Sequence, residues 1–149
     1  MQDMKLMLVD DEARFLETTK KTLLKKNVDV ITAESGEAAL EILDAREVHV
    51  VILDVKMPGM DGIETLRQIK ARHPLVEVIM LTGHATVESA VDGLKCGATD
   101  YVMKPADIEV LIQKARAAYA KRLAMEEKIS MAKARSYVKS PRQILKEGV

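Results

Sequence analysis

Val48-His49-Val50-Val51-Ile52-Leu53-Asp54 decides the fold. Six residues with one polar interruption, closed by a carboxylate, have the composition of a central parallel strand, whose two faces are both covered by helices. Working upstream, Ser35 stands as an N-cap before a helix whose apolar stripe is Ala38, Ala39, Ile42 and Leu43. Before it come a second strand at Val28 to Ala33, a helical stretch carrying Phe15, Leu16, Thr19, Leu23 and Leu24 on one face, and a first strand at Lys5 to Val9. Downstream, Pro58-Gly59-Met60-Asp61-Gly62 reads as a turn into a helix bearing Ile63, Leu66 and Ile69. A fourth strand at Val76 to Leu81, a fourth helix at Thr86 to Lys95, a fifth strand at Thr99 to Met103 and a fifth helix from near Asp107 complete the pattern. Five strand-then-helix units predict an α/β, doubly wound five-stranded parallel sheet with helices on both faces.

Composition fits that reading. The chain has 149 residues, 48% hydrophobic and 31% charged, which suits one soluble globular domain. No apolar run is long enough to span a bilayer and Met1 to Lys5 lacks the pattern of a signal peptide, so the cytoplasm is the expected location and no membrane partner is expected. Cys96 is the sole cysteine, which excludes an intrachain disulfide and a cysteine-based zinc site. Formal charge is zero, yet residues from Lys121 to Val149 carry eight Lys and Arg against three Glu, a net of +5 that leaves −5 on the remainder. Aromatic residues are nearly absent from that basic stretch, so a solvated helix face is the expectation. No recognition-helix domain is visible, and direct nucleic-acid binding by this chain alone is not expected.

Polar residues at the strand ends carry the chemistry. Val9 is followed by Asp10-Asp11-Glu12, Leu53 by Asp54, Leu81 by Thr82, and Met103 by Lys104-Pro105. In a doubly wound sheet the ligand crevice lies beyond the carboxyl ends of the strands. With the order 2-1-3-4-5, carboxylates, a hydroxyl and an ammonium converge on one crevice. Clustered carboxylates repel one another unless a cation neutralises them, and an all-oxygen set suits Mg²⁺. Asp10, Asp11 and Asp54 form such a cup. A carboxylate there can attack a phosphoryl group while Lys104 neutralises its oxygens and Thr82 donates a hydrogen bond.

Four segments, taken together and in order, resemble the receiver domains of two-component response regulators. They are Val9-Asp10-Asp11-Glu12, Leu53 to Gly62, Leu81-Thr82-Gly83-His84, and Asp100-Tyr101-Val102-Met103-Lys104-Pro105. The resemblance covers about residues 4 to 122, making 1–122 the receiver and 123–149 a helical C-terminal extension or linker. It implies a flavodoxin-like fold and a signalling phosphoacceptor, not an enzyme acting on a separate substrate. Asp54 would take phosphate from the phosphohistidine of a sensor histidine kinase or phosphotransfer protein. Asp10, Asp11, Asp54 and the backbone carbonyl of Lys56 would position Mg²⁺, and Thr82 and Lys104 would bind the phosphoryl oxygens. Thr82 and Tyr101 match the switch pair, Lys56 and His84 would tune phosphate lifetime, and the Lys104-Pro105 bond is expected to be cis. Helix 4, strand 5 and helix 5 would form the output face, which in the family mediates partner binding or homodimerisation. His49 and His73 read as structural or exposed.

Past residue 122, Met125, Ile129 and Ala132 continue the three- and four-residue steps of Ile108, Leu111, Ala115, Ala118 and Arg122, so the fifth helix is expected to run on. Arg122 sits awkwardly in a coiled-coil seam. Ser140-Pro141-Arg142-Gln143 resembles a helix start and Gly148 a stop. The tail also reads as a linker cut from a longer regulator, since the strand-4 signature and long helix resemble receivers attached to ATPase-type transcription activators. Rival classes lack their marks: there is no glycine-rich phosphate loop after the first strand, no Asp-x-Asp nucleophile there and no Walker-type loop. A phosphate-independent interaction module on the same fold is the remaining alternative.

Overall fold

The computed structural model describes residues 4–55, 61–83 and 87–137. Its elements alternate without exception: β1 (Leu6–Val9), α1 (Ala13–Lys25), β2 (Val30–Ala33), α2 (Gly36–Ala45), β3 (Val50–Asp54), α3 (Gly62–Arg72), β4 (Glu77–Thr82), α4 (Val87–Lys95), β5 (Asp100–Met103) and α5 (Ile108–Tyr137). The strands form one parallel sheet of order β2-β1-β3-β4-β5, as the sequence predicts.

Side chains along each strand alternate between two cores, because successive residues of a strand point to opposite faces. Leu6, Leu8, Val50, Ile52, Ile79 and Leu81 meet α1 and α5 through Leu16, Leu23, Leu111 and Ala115. Met7, Val9, Val51, Leu53, Val78 and Met80 meet α2 and α3 through Leu40, Leu43, Leu66 and Ile69. This two-sided burial explains the run in β3, where every residue is buried. Each such Val, Leu or Ile contributes about 1.5–3 kcal/mol relative to an exposed one.

Helix ends follow their local chemistry. Ser35 caps α2 by accepting from the Ala38 N–H at 3.0 Å, as expected. Asp61 caps α3 through the Glu64 N–H at 2.8 Å. Asn27, in the left-handed region at φ 62°, closes α1, with the Val28 N–H donating to the Leu23 carbonyl. One predicted stripe residue is displaced: Leu24 is 55% exposed. Leu16, Thr19 and Leu23 already fill the buried face, and Leu24 lies about 100° round the helix from Leu23.

The fifth helix runs to Tyr137, well past residue 122. Leu111, Ala115 and Ala118 are buried, whereas Leu123, Met125, Ile129 and Met131 are exposed. Arg122 marks the change. Its guanidinium bonds the carbonyls of Val48 and Leu75 at 3.4 and 3.2 Å and the Glu126 carboxylate at 2.6 Å. The expected terminal helix at Ser140, Pro141, Gln143 and Gly148 lies outside the described residues.

Candidate phosphoacceptor site

Sheet register assembles the site. Val9 pairs with Leu53, so Asp10, one residue on, emerges beside Asp54. Asp54 and Thr82 do not follow their strands, as the sequence suggests, but end them, paired with Leu81 and Met103. Ladder pairing carries both side chains on rigid backbone. Lys104 follows β5 directly, and its N–H donates to the Thr82 carbonyl at 2.8 Å. The Lys104-Pro105 peptide is cis, as expected.

Burial grades the carboxylates. Asp10 is fully buried and Asp54 nearly so, while Asp11 is exposed. Carboxylate oxygens of the three lie within 4.8 Å of one another. The Lys104 ammonium is 2.5 Å from Asp10, 3.9 Å from Asp54 and 4.0 Å from Glu12. One ammonium among four carboxylates leaves a net negative cup, and an all-carboxylate set with an open, exposed member fits a hard divalent cation. Asp10 also accepts from the Glu12 N–H at 2.9 Å, so it caps the turn into α1 and faces the cup at once. Thr82 is buried at the end of β4.

Gly62 brings the start of α3 against this end of β3. A Cβ there would stand 2.4 Å from the Asp54 carbonyl oxygen and 2.5 Å from Val55 Cα, and the Gly62 N–H donates to the Val55 carbonyl at 2.8 Å. No side chain fits that approach. From sequence Gly62 is expected only in a turn, although the Asp61-to-Glu64 spacing is that of a helix cap.

Tyr101 is half-buried at the sheet edge, packed on the core shared with α2 and α3. Lys56 and His84 lie outside the described residues. His49 is buried, its Nδ1 accepting from the Lys5 N–H at 2.9 Å, and His73 Nε2 is 2.8 Å from Asp44; both stand apart from the cup. Phe15, read from sequence as a core residue alone, also lies under Lys104: the ammonium is 4.2 Å from its ring centroid.

The family model described as the response regulator receiver domain matches residues 6–116. The chain belongs to the response regulator receiver family. This receiver domain is 38% identical over 102 residues to the DNA-binding transcriptional regulator NtrC of Klebsiella pneumoniae, covering 68% of this chain and 22% of that protein. It is 37% identical over 108 residues to the response regulator protein FleR of Pseudomonas aeruginosa, covering 72% and 23%. The chain thus spans less than a quarter of the length of these curated relatives. Among solved structures, a receiver domain protein from Clostridium thermocellum superposes with a TM-score of 0.77 at 33% identity, over 82% of this chain and 98% of that one. No helix among the described residues is long and apolar enough to cross a membrane.

Proposed function

We propose that this receiver accepts phosphate on Asp54 from the phosphohistidine of a sensor histidine kinase or phosphotransfer protein. The observation that carries the reading is the convergence of Asp10, Asp11, Asp54 and Lys104 at the carboxyl end of the sheet. An Asp54 carboxylate oxygen attacks phosphorus; the P–N bond to the donor imidazole breaks, and the ring nitrogen keeps the electron pair. Lys104, already within 4 Å of Asp54, neutralises charge on the phosphoryl oxygens, and Thr82 donates to one of them. Mg²⁺, held by Asp10, Asp11, Asp54 and the Lys56 carbonyl, would relieve carboxylate repulsion and balance phosphoryl charge. The protein acts on its own side chain alone, forming and hydrolysing one acyl phosphate, in the cytoplasm where such donors work.

Residues 1–122 form the receiver unit and 123–149 an extension or linker. The family match ends at 116, and Arg122 still ties α5 to the segments leading into β3 and β4. Activation follows from phosphate drawing Thr82 inward, with Tyr101 moving into the space released and altering the face of α4, β5 and α5, which would bind a partner or a second copy. His84 and Lys56 would set the lifetime of the acyl phosphate. Hydrogen exchange with and without beryllofluoride, a phosphoryl mimic, tests the switch: amides of β4, α4 and β5 change protection in wild type and not in Asp54→Asn. Equal changes in both proteins would refute it.

A further inference from the structure

Lys104 reaches across the mouth of the carboxylate cup on a four-carbon stem with free rotation about each bond, so its aim has to come from outside the side chain. Asp10 supplies one restraint at 2.5 Å. That restraint is not neutral toward the reaction, because it draws the ammonium toward Asp10 and away from Asp54, 3.9 Å distant. A second restraint comes from a different element and has no charge. The ring of Phe15, in the first turn of α1, presents its face to the ammonium with the nitrogen 4.2 Å from the centroid. Phe15 is partly buried against the core formed with α1 and α5, and that packing fixes the ring. The Lys104 side chain is only 18% exposed, so the contact is largely desolvated, the condition under which a cation over an aromatic face is held most strongly.

We infer that Phe15 is a positioning residue for Lys104: its ring face holds the ammonium over the cup, within reach of the phosphoryl oxygens on Asp54, without competing for them as a carboxylate would. An aliphatic residue at position 15 would fill the core equally well but present no negative face to the cation. The role depends on the ring's quadrupole and not on its bulk. This inference rests on the reading of Asp54 as phosphoacceptor.

Phe15 is the only phenylalanine in the chain, so growth on a fluorinated phenylalanine changes this ring alone. A series of phenylalanine, 4-fluoro-, 3,5-difluoro- and 3,4,5-trifluorophenylalanine weakens the face stepwise at nearly constant shape. Two quantities are read on the full chain: the order of the Lys104 ammonium by nitrogen-15 relaxation, without phosphodonor, and the rate of Mg²⁺-dependent phosphate uptake from acetyl phosphate. Ammonium order falls with each fluorine, and the uptake rate falls in the same sequence by roughly threefold to tenfold at trifluorophenylalanine. Phe15→Leu behaves like the trifluoro protein and Phe15→Tyr like wild type, with unchanged thermal midpoints across the fluorine series. Ammonium order indifferent to fluorination overturns the inference, as does order that falls while the rate stays constant. Absence of phosphate uptake by the wild type overturns the phosphoacceptor reading and with it the positioning role, whereas the order series alone decides whether Phe15 holds Lys104.

Discussion

The two ends of the parallel sheet use charge in opposite ways. At the amino end, buried and partly buried polar groups serve the local backbone and one another. Lys70 donates to the carbonyls of Pro74 and Val76 at 2.8 and 2.9 Å, Arg122 to those of Val48 and Leu75, and His49 accepts from the Lys5 N–H. Glu77 receives the Thr99 hydroxyl and lies 3.8 Å from Lys121. Lys70 and Arg122 there satisfy carbonyls just ahead of β3 and β4, where an unpaired buried carbonyl would cost about 1–3 kcal/mol. At the carboxyl end, four acidic side chains gather around one ammonium. That arrangement is poor at stabilising a fold and good at receiving a cation and a phosphoryl group. Charge at the amino end is held by bonds in place; at the carboxyl end negative charge is left in surplus.

The surplus gives the largest expected effect. Mg²⁺ at a hundredfold excess over its dissociation constant should stabilise the protein by about 2.7 kcal/mol, read as a rise in thermal midpoint. Asp11→Asn should lose most of that rise. The side chain is exposed, so the variant's midpoint without the ion should not fall. A rise retained in Asp11→Asn would separate the cup from the ion.

Gly62→Ala probes the same end through its scaffold and should cost about 2 kcal/mol in denaturant melts, because the added Cβ meets backbone of β3. At the other end, Arg122→Met should cost about 1–2 kcal/mol by releasing two strand-start carbonyls. Its Mg²⁺-dependent gain should remain equal to that of wild type. A changed gain would show that the two ends are coupled and do not use charge independently.

Asp100 gives the smallest and most pH-specific effect. Burial raises its carboxyl pKa, but the Lys114 ammonium at 2.8 Å and the Tyr101 N–H outweigh that and hold it below the ordinary carboxylate value. A carboxylate depressed in the folded state contributes stability that is present above its unfolded value and lost as pH falls through the folded one. Asp100→Asn should therefore cost about 0.2–1 kcal/mol at neutral pH, the range of a half-exposed pair, and the gap should close below about pH 4. A gap that persists in acid would show that the effect does not come from the charge.

Most of the fold was legible because β3 announces burial on both faces and because the helices between strands keep their period. The core of the cup was legible for a related reason: Asp10, Asp54, Thr82 and Lys104 are polar residues placed where apolar strands stop. Leu24 was misplaced because a hydrophobic residue adjoining a filled stripe looks the same in sequence as one inside it. The partners of Arg122 and the ring beneath Lys104 were not legible. Arg122 meets carbonyls 74 and 47 residues away, and Phe15 meets Lys104 from another element. Such contacts depend on how whole helices settle on the sheet, which periodicity does not encode. The Asp61 cap is encoded locally, by its spacing to Glu64.

On the proposed reading, the surplus charge at the carboxyl end serves a single phosphoacceptor, Asp54. Intact mass of the full chain after incubation with acetyl phosphate and Mg²⁺, for wild type and Asp54→Asn, tests it most directly. Wild type should show one phosphate-sized gain, abolished by chelating Mg²⁺ and absent from Asp54→Asn. An equal gain in both proteins would contradict the assignment to Asp54, and no gain in either would leave the fold serving as an interaction module without phosphotransfer.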